Sequence, residues 1–93
     1  LGSIQDNKSG GMYIYRSSKT ALNQVVKSLS VDLKPMGITV ISLHPGWVKT
    51  DMGGPNAPVS IDESIKGMMK VIDTTDIRNT GTFLNFDGQG LPW

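Results

Sequence analysis

The sequence predicts an α/β fold in which helices alternate with parallel strands. A helical pattern occupies residues 12–34, a strand pattern occupies 38–43, and a second helix and strand follow at 60–73 and 82–86. The order helix-strand-helix-strand is typical of α/β proteins. Because two parallel strands alone leave edges unpaired and faces uncovered, we expect the 93 residues to form the C-terminal part of a larger sheet.

The first helix is predicted from the spacing of its apolar residues, after a loop of turn-forming residues over 1–11. Apolar side chains recur at steps of three and four residues, at Ile14, Ala21, Leu22, Val25, Val26, Leu29 and Leu33. Pro35 and Gly37 then end the helix. Because the apolar positions cover more than one stripe, we expect this helix to be buried on two sides, against a sheet and against a partner helix.

The next segment, 38–43, is short and rich in β-branched residues, which predicts a strand buried on both faces. Ser60 is placed to cap the second helix, with Asp62 and Glu63 in its first turn. After a polar loop, residues 82–86 form the second predicted strand, which stops at an Asp-Gly pair.

Composition excludes several classes of function. A net charge of +1 gives no electrostatic case for binding nucleic acid or an anionic membrane, and no apolar run is long enough to span a bilayer. There is no cysteine, which excludes disulfides and thiolate metal sites and favours a reducing cytoplasm. The chain has no signal-peptide pattern and no initiator methionine, so we expect it to be processed, tagged or cut from a longer protein.

Tyr15 and Lys19 are the first candidates for chemistry. They are four residues apart, so on a helix they share one face. A nearby ammonium lowers the pKa of a phenol from its reference value of about 10, which is what proton exchange near neutrality requires. By itself the pair also fits an interfacial tyrosine beside an exposed lysine.

Two motifs, in this order and spacing, resemble the short-chain dehydrogenase/reductase family, most closely its sniffer-like and C-factor-like carbonyl-reductase branch. They are Tyr15-Arg16-Ser17-Ser18-Lys19 and His44-Pro45-Gly46-Trp47-Val48-Lys49-Thr50. The resemblance extends over the whole chain to Trp93. It implies that residues 1–93 are the C-terminal portion of a single dinucleotide-binding domain, with a doubly wound parallel sheet of Rossmann type.

The resemblance also implies roles for individual residues. Tyr15 matches the general acid that protonates the carbonyl oxygen, and Lys19 matches the residue that binds the nicotinamide ribose and favours the ionised phenol. The Pro-Gly-x-Val-x-Thr pattern falls on Pro45, Gly46, Val48 and Thr50, where the Val48 backbone and the Thr50 hydroxyl hold the nicotinamide carboxamide and a nearby phosphate. The cofactor implied is NADP, with NAD possible because selectivity is set in the other half of the fold.

Other family features remain open. The glycine-rich pyrophosphate turn and the catalytic asparagine have no match in this chain, and Ser3 is expected to be a loop residue rather than the family's serine. His44 is expected to be structural. Trp47, residues 53–59 and Trp93 are expected around the substrate mouth, with the following helix as a lid.

Two classes of function follow. In the first, the parent protein is an NADP(H)-dependent enzyme that reduces a small-molecule carbonyl substrate, without a metal, and forms a homo-oligomer. In the second, the chain is a non-catalytic fragment or interaction module that associates through its long helix.

Overall fold

A computed structural model describes residue 4 and residues 7–93; Ser3 lies outside the described residues. The elements are α1 (Tyr13–Leu33), β1 (Ser42–His44), α2 (Ile61–Thr74), β2 (Phe83–Asn85) and β3 (Gly90–Leu91), with short 3₁₀ turns at Lys34–Met36 and Ile77–Asn79. The predicted α/β class and the helix-strand-helix-strand order are confirmed. No described helix is long and apolar enough to cross a membrane.

Both helices begin and end close to the predicted residues. Gly37 ends the first helical segment with a left-handed φ of 72° and donates its N–H to the Lys34 carbonyl, a conformation that glycine adopts readily. Ser60 caps α2 as predicted, because its hydroxyl oxygen accepts the Glu63 N–H at 3.1 Å.

The strands are parallel where parallel pairing was predicted, but the first strand is shorter. β1 pairs with β2 in parallel, with Ser42 opposite Phe83 and His44 opposite Asn85. Residues 38–41 are not a strand, which corrects the prediction for 38–43. The cause lies in the partner segment: the Val40 N–H bonds to the Thr80 side-chain oxygen at 2.9 Å, which replaces a regular ladder bond.

β3 was not predicted. It pairs antiparallel with β2, with Phe83 opposite Leu91, and gives a three-stranded sheet in the order β1-β2-β3. The connecting turn uses Gly88 at φ 92°, and the Gly88 N–H donates to the Asn85 carbonyl at 2.9 Å. An Asp-Gly pair between two apolar segments is a recognised hairpin pattern, so the sequence contained the means to predict it.

The core is small and much of the apolar surface is open. Among the described residues, the buried apolar side chains are Ala57, Val59 and Val71. The described residues alone do not bury α1 on two sides, since Ile14 is 90% and Val25 is 54% exposed; burial against a larger sheet and a partner helix stays a prediction. The radius of gyration is 14.4 Å, above the roughly 12 Å of a compact domain of this length. The described elements therefore do not cover one another fully.

Candidate active site

An open groove of about 750 Å³ lies at the C-terminal end of β1. It is bounded by α1, by the loop that follows β1 and by the start of α2. This is where parallel α/β sheets bind ligands. Its lining residues are Tyr15, His44, Pro45, Gly46, Trp47, Val48, Thr50, Met52, Gly53, Ile61, Ser64 and Ile65. The structure thus brings one residue of α1 to the same opening as all four predicted positions of the Pro-Gly-x-Val-x-Thr loop.

Tyr15 enters the groove from the first turn of α1. Its side chain is 44% exposed and makes no hydrogen bond with the described residues, so the phenol is available to a ligand. The Lys19 Nζ lies 5.6 Å from the centre of the Tyr15 ring, within the range of a cation–π contact. Lys19 does not line the groove itself. It stands beside Tyr15 on the same face, as the four-residue spacing predicts.

Close packing fixes the turn at Gly46. Its φ of 85° lies in the left-handed region, and a Cβ there would be 2.8 Å from the Phe86 ring and 3.3 Å from Val59. A side chain would therefore meet both conformational strain and a steric clash. On the other side of the turn, the Ser64 hydroxyl of α2 donates to the Pro45 carbonyl at 2.7 Å.

The segment after this turn folds back on itself. Val48 pairs with Val59, where the Lys49 N–H donates to the Val59 carbonyl at 2.8 Å. The Thr50 hydroxyl oxygen accepts the Gly53 N–H at 3.1 Å, which leaves the hydroxyl hydrogen for another acceptor. Thr50 is exposed, so that acceptor can be a ligand.

Trp47 forms an apolar wall of the groove. Its indole N–H donates to the Gly53 carbonyl at 2.8 Å, so the loop it precedes holds the ring in place. Met52, 99% exposed, projects from the same loop. Ile61 and Ile65 of α2 complete an apolar lining around the polar positions.

His44 and Trp93 belong to an aromatic row on the sheet. The His44 ring meets Phe83 edge-on at 6.3 Å, and Phe83 stacks on Trp93 at 5.5 Å. Desolvation of the ring lowers the pKa of His44 below its ordinary value, which favours the neutral ring; the structural role expected for His44 stays a prediction. Trp93, expected at the substrate mouth, does not line the groove and instead lines another cavity of about 210 Å³ with Thr20 and Lys27.

Sequence reasoning missed Ser64. A serine inside a helix normally carries no functional meaning, and this position has no place in the quoted motifs. Its spacing could have indicated that it is buried. Ser64, Gly67 and Val71 are three and four residues apart, so they share one face of α2.

Comparison with known proteins places the chain in a family. The short chain dehydrogenase family model matches residues 3–59, which is more than half of the chain. The chain belongs to the short-chain dehydrogenase family. The resemblance drawn from the two motifs is thereby confirmed, and with it the Rossmann-type fold class.

Within that family, the chain is similar to the carbonyl-reductase branch. It is 47% identical over 93 residues to C-signal of Myxococcus xanthus, covering 56% of that protein. It superimposes on carbonyl reductase sniffer of D. melanogaster with a TM-score of 0.91 and 53% identity, covering 37% of that chain. It also superimposes on the NADPH-bound carbonyl reductase from chicken fatty liver with a TM-score of 0.86 and 43% identity, covering 39% of that chain. In these two structures and in C-signal, the chain thus spans between about a third and about a half of the other protein.

Proposed function

We propose that the protein containing this chain reduces small-molecule carbonyl compounds with NADPH. Residues 1–93 would form the C-terminal portion of its single dinucleotide-binding domain. The observation that carries the proposal is the groove, where Tyr15 of α1 meets Pro45, Gly46, Val48 and Thr50 of the loop after β1. The NADPH bound by the chicken carbonyl reductase supports the choice of cofactor.

The loop residues fit a nicotinamide cofactor. Gly46 lines the groove, and the Thr50 hydroxyl has a hydrogen to donate. Pro45 and Val48 would hold the nicotinamide face of the groove through their backbone. When bound, the cofactor supplies the hydride for the carbonyl carbon.

Tyr15 would act as the general acid. Its Oη would give a proton to the carbonyl oxygen as the alcohol forms, and it reaches the groove without a competing hydrogen bond to the described residues. Lys19, with its Nζ 5.6 Å from the Tyr15 ring centre, would stabilise the phenolate that remains and bind the nicotinamide ribose. The apolar side chains of Trp47, Ile61 and Ile65 would receive the apolar body of the substrate.

The test compares Tyr15→Phe with Tyr13→Phe in the full-length protein. The two variants lose the same hydroxyl from the same helix, but Tyr13 is 80% exposed and does not line the groove. General acid–base catalysis contributes about 10²–10⁴-fold, so Tyr15→Phe should lose that much kcat on a panel of aldehydes, ketones and quinones. NADPH binding should survive, and Tyr13→Phe should retain normal turnover. Near-normal turnover by Tyr15→Phe would refute the assignment.

The alternative function, a non-catalytic module that associates through its long helix, predicts a different result. Leu22, Val25 and Leu29 of α1 are between 43% and 54% exposed, an apolar face that a homo-oligomer partner could cover. If the full-length protein binds no dinucleotide, association through α1 becomes the better account. Reduced association after Val25→Glu or Leu29→Glu, measured by sedimentation, would then support it.

A further inference from the structure

We infer that Ser64 is a positioning residue: its hydroxyl sets the orientation of the Pro45–Gly46 peptide that faces the bound NADPH. The inference rests on the proposed function and extends it to a residue outside the family motifs. Ser64 is 2% exposed, and its Oγ donates to the Pro45 carbonyl oxygen at 2.7 Å, across 19 residues of sequence.

The hydrogen bond of Ser64 differs from those of three other helical hydroxyls. Ser18, Ser30 and Thr74 each donate to a carbonyl of their own helix, three or four residues earlier. That is the usual pattern for serine and threonine inside helices. Ser64 instead reaches out of α2 to the loop after β1, so its hydroxyl links two elements.

The packing around this bond prevents the turn from moving independently. Gly67 stands one turn after Ser64, and a Cβ there would collide with the Phe86 carbonyl oxygen and lie 3.0 Å from its ring. The same ring closes against Gly46 from the other side, 2.8 Å from where its Cβ would be. Because Phe86 lies between Gly46 and Gly67, α2 and the turn are packed as one unit.

The orientation of the Pro45 carbonyl also determines the direction of the Gly46 N–H. The peptide between Pro45 and Gly46 is planar and trans, so the Pro45 carbonyl and the Gly46 N–H point in opposite directions. When Ser64 holds the carbonyl, the N–H points away from α2, and it donates to no described residue. Without the hydroxyl, the carbonyl loses its partner, and packing at Gly46 alone then sets the orientation of the peptide plane.

The experiment measures the NADPH dissociation constant of the full-length protein by fluorescence titration, for wild type, Ser64→Ala and Ser60→Ala. Ser60→Ala is the matched control, since it removes a serine hydroxyl and a cap from the same helix without touching Pro45. One hydrogen bond corresponds to about a twofold to tenfold change. Ser64→Ala should raise the dissociation constant by that factor, with kcat at saturating NADPH within about twofold of wild type.

Two further measurements separate positioning from general stability. Both variants should lower the thermal midpoint, but only Ser64→Ala should weaken NADPH binding. Ser64→Thr, which keeps the hydroxyl, should restore most of the affinity. Should Ser64→Ala not fold, Ser64→Cys replaces it with a weaker donor and should show an intermediate dissociation constant.

The outcomes distinguish this inference from the proposed function. If wild type binds NADPH and reduces carbonyls but Ser64→Ala binds NADPH normally, the positioning role is wrong and the function stands. Equal weakening by Ser60→Ala and Ser64→Ala would also overturn it, because helix stability would then explain both. If wild type binds no NADPH, the proposed function fails and the inference fails with it.

Discussion

The two sides of the groove are held in different ways. On the loop side, the Pro45–Gly46 turn is fixed by Ser64, Phe86 and Val59, all from within the chain. On the helix side, Tyr15 and Lys19 lie on α1, whose buried residue among those described is Ser30. The surface for the cofactor is thus built locally, whereas the position of the acid–base pair depends on how α1 is covered.

Contacts at Gly81, in the turn before β2, hold α1 among the described residues. The Lys27 Nζ donates to the Gly81 carbonyl at 3.3 Å, and a Cβ on Gly81 would lie 2.7 Å from the Ser30 hydroxyl. The left-handed φ of 80° at Gly81 lets the backbone approach the helix this closely. These contacts lie about three to four turns from Tyr15, so they anchor the C-terminal half of α1 and leave the catalytic end to other elements.

After Tyr15→Phe, the largest effect is expected from Lys19→Ala in the full-length protein, which tests the helix side. The variant removes the charge beside the Tyr15 ring and a proposed ribose contact, so both kcat and NADPH affinity should fall, with kcat/KM reduced about a hundredfold or more. Lys66→Ala, an exposed lysine of α2 outside the groove, is the control and should behave as wild type. Normal kinetics for Lys19→Ala would mean that the pair is only a surface neighbour contact.

A smaller effect is expected from Gly46→Ala, which tests the loop side. Gly46 and Gly54 have similar φ values, 85° and 82°, so alanine at either position carries the same backbone strain of about 1–2 kcal/mol. Only Gly46 has Phe86 and Val59 in the path of a Cβ, while Gly54 has nothing within 4 Å. Overpacking should therefore cost Gly46→Ala a further 1–3 kcal/mol or so.

Chemical denaturation of the full-length protein measures both glycine variants. The difference between them isolates the steric contribution, because the strain cancels. We also expect Gly46→Ala to weaken NADPH binding and Gly54→Ala to leave it unchanged. Equal unfolding free energies for the two variants would show that the turn can relax around an added Cβ, and that packing does not fix it.

Much of the helical structure follows from local sequence, and much of the strand structure does not. The apolar spacing over 12–34 and the cap at Ser60 predict both helices because these features act within a few residues. The strand predicted at 38–43 was too long because a strand requires a partner ladder. At Val40 that ladder is interrupted by the Thr80 side chain, which no apolar pattern can indicate.

The same distinction applies to the groove. Tyr15 and the loop residues could be selected because two motifs carry them in a fixed order. Ser64 could not, because its importance comes from a hydrogen bond that spans 19 residues. Trp93 was misplaced for the same reason: its stacking on Phe83 depends on β3, a pairing that was not predicted. Contacts between distant segments are the part that required the structure.

The smallest effect is expected from Asp76→Asn, at a site outside both sides of the groove. The Asp76 carboxylate caps the turn Ile77–Asn79 and pairs with Arg78, whose Nη2 lies 2.6 Å from Oδ2. Hydrogen bonds from the Arg78 side chain and backbone lower the pKa of Asp76 to about 2. A lowered carboxyl pKa stabilises the fold above the unfolded-state value of about 3.9, and that stabilisation is lost as pH falls from there to about 2.

The thermal midpoint of the full-length protein should therefore differ between wild type and Asp76→Asn at neutral pH, and the difference should shrink as the pH falls from about 4 to about 2. Because the pair is exposed, the difference should be no more than about 1–2 °C. Asp73→Asn, which removes a carboxylate that makes no hydrogen bond with the described residues, should show no such pH-dependent difference. A difference for Asp76→Asn that persisted at pH 2 would mean that the amide, not the lost charge, perturbs the turn. The groove should be unaffected throughout, so NADPH affinity at neutral pH should match wild type in both variants.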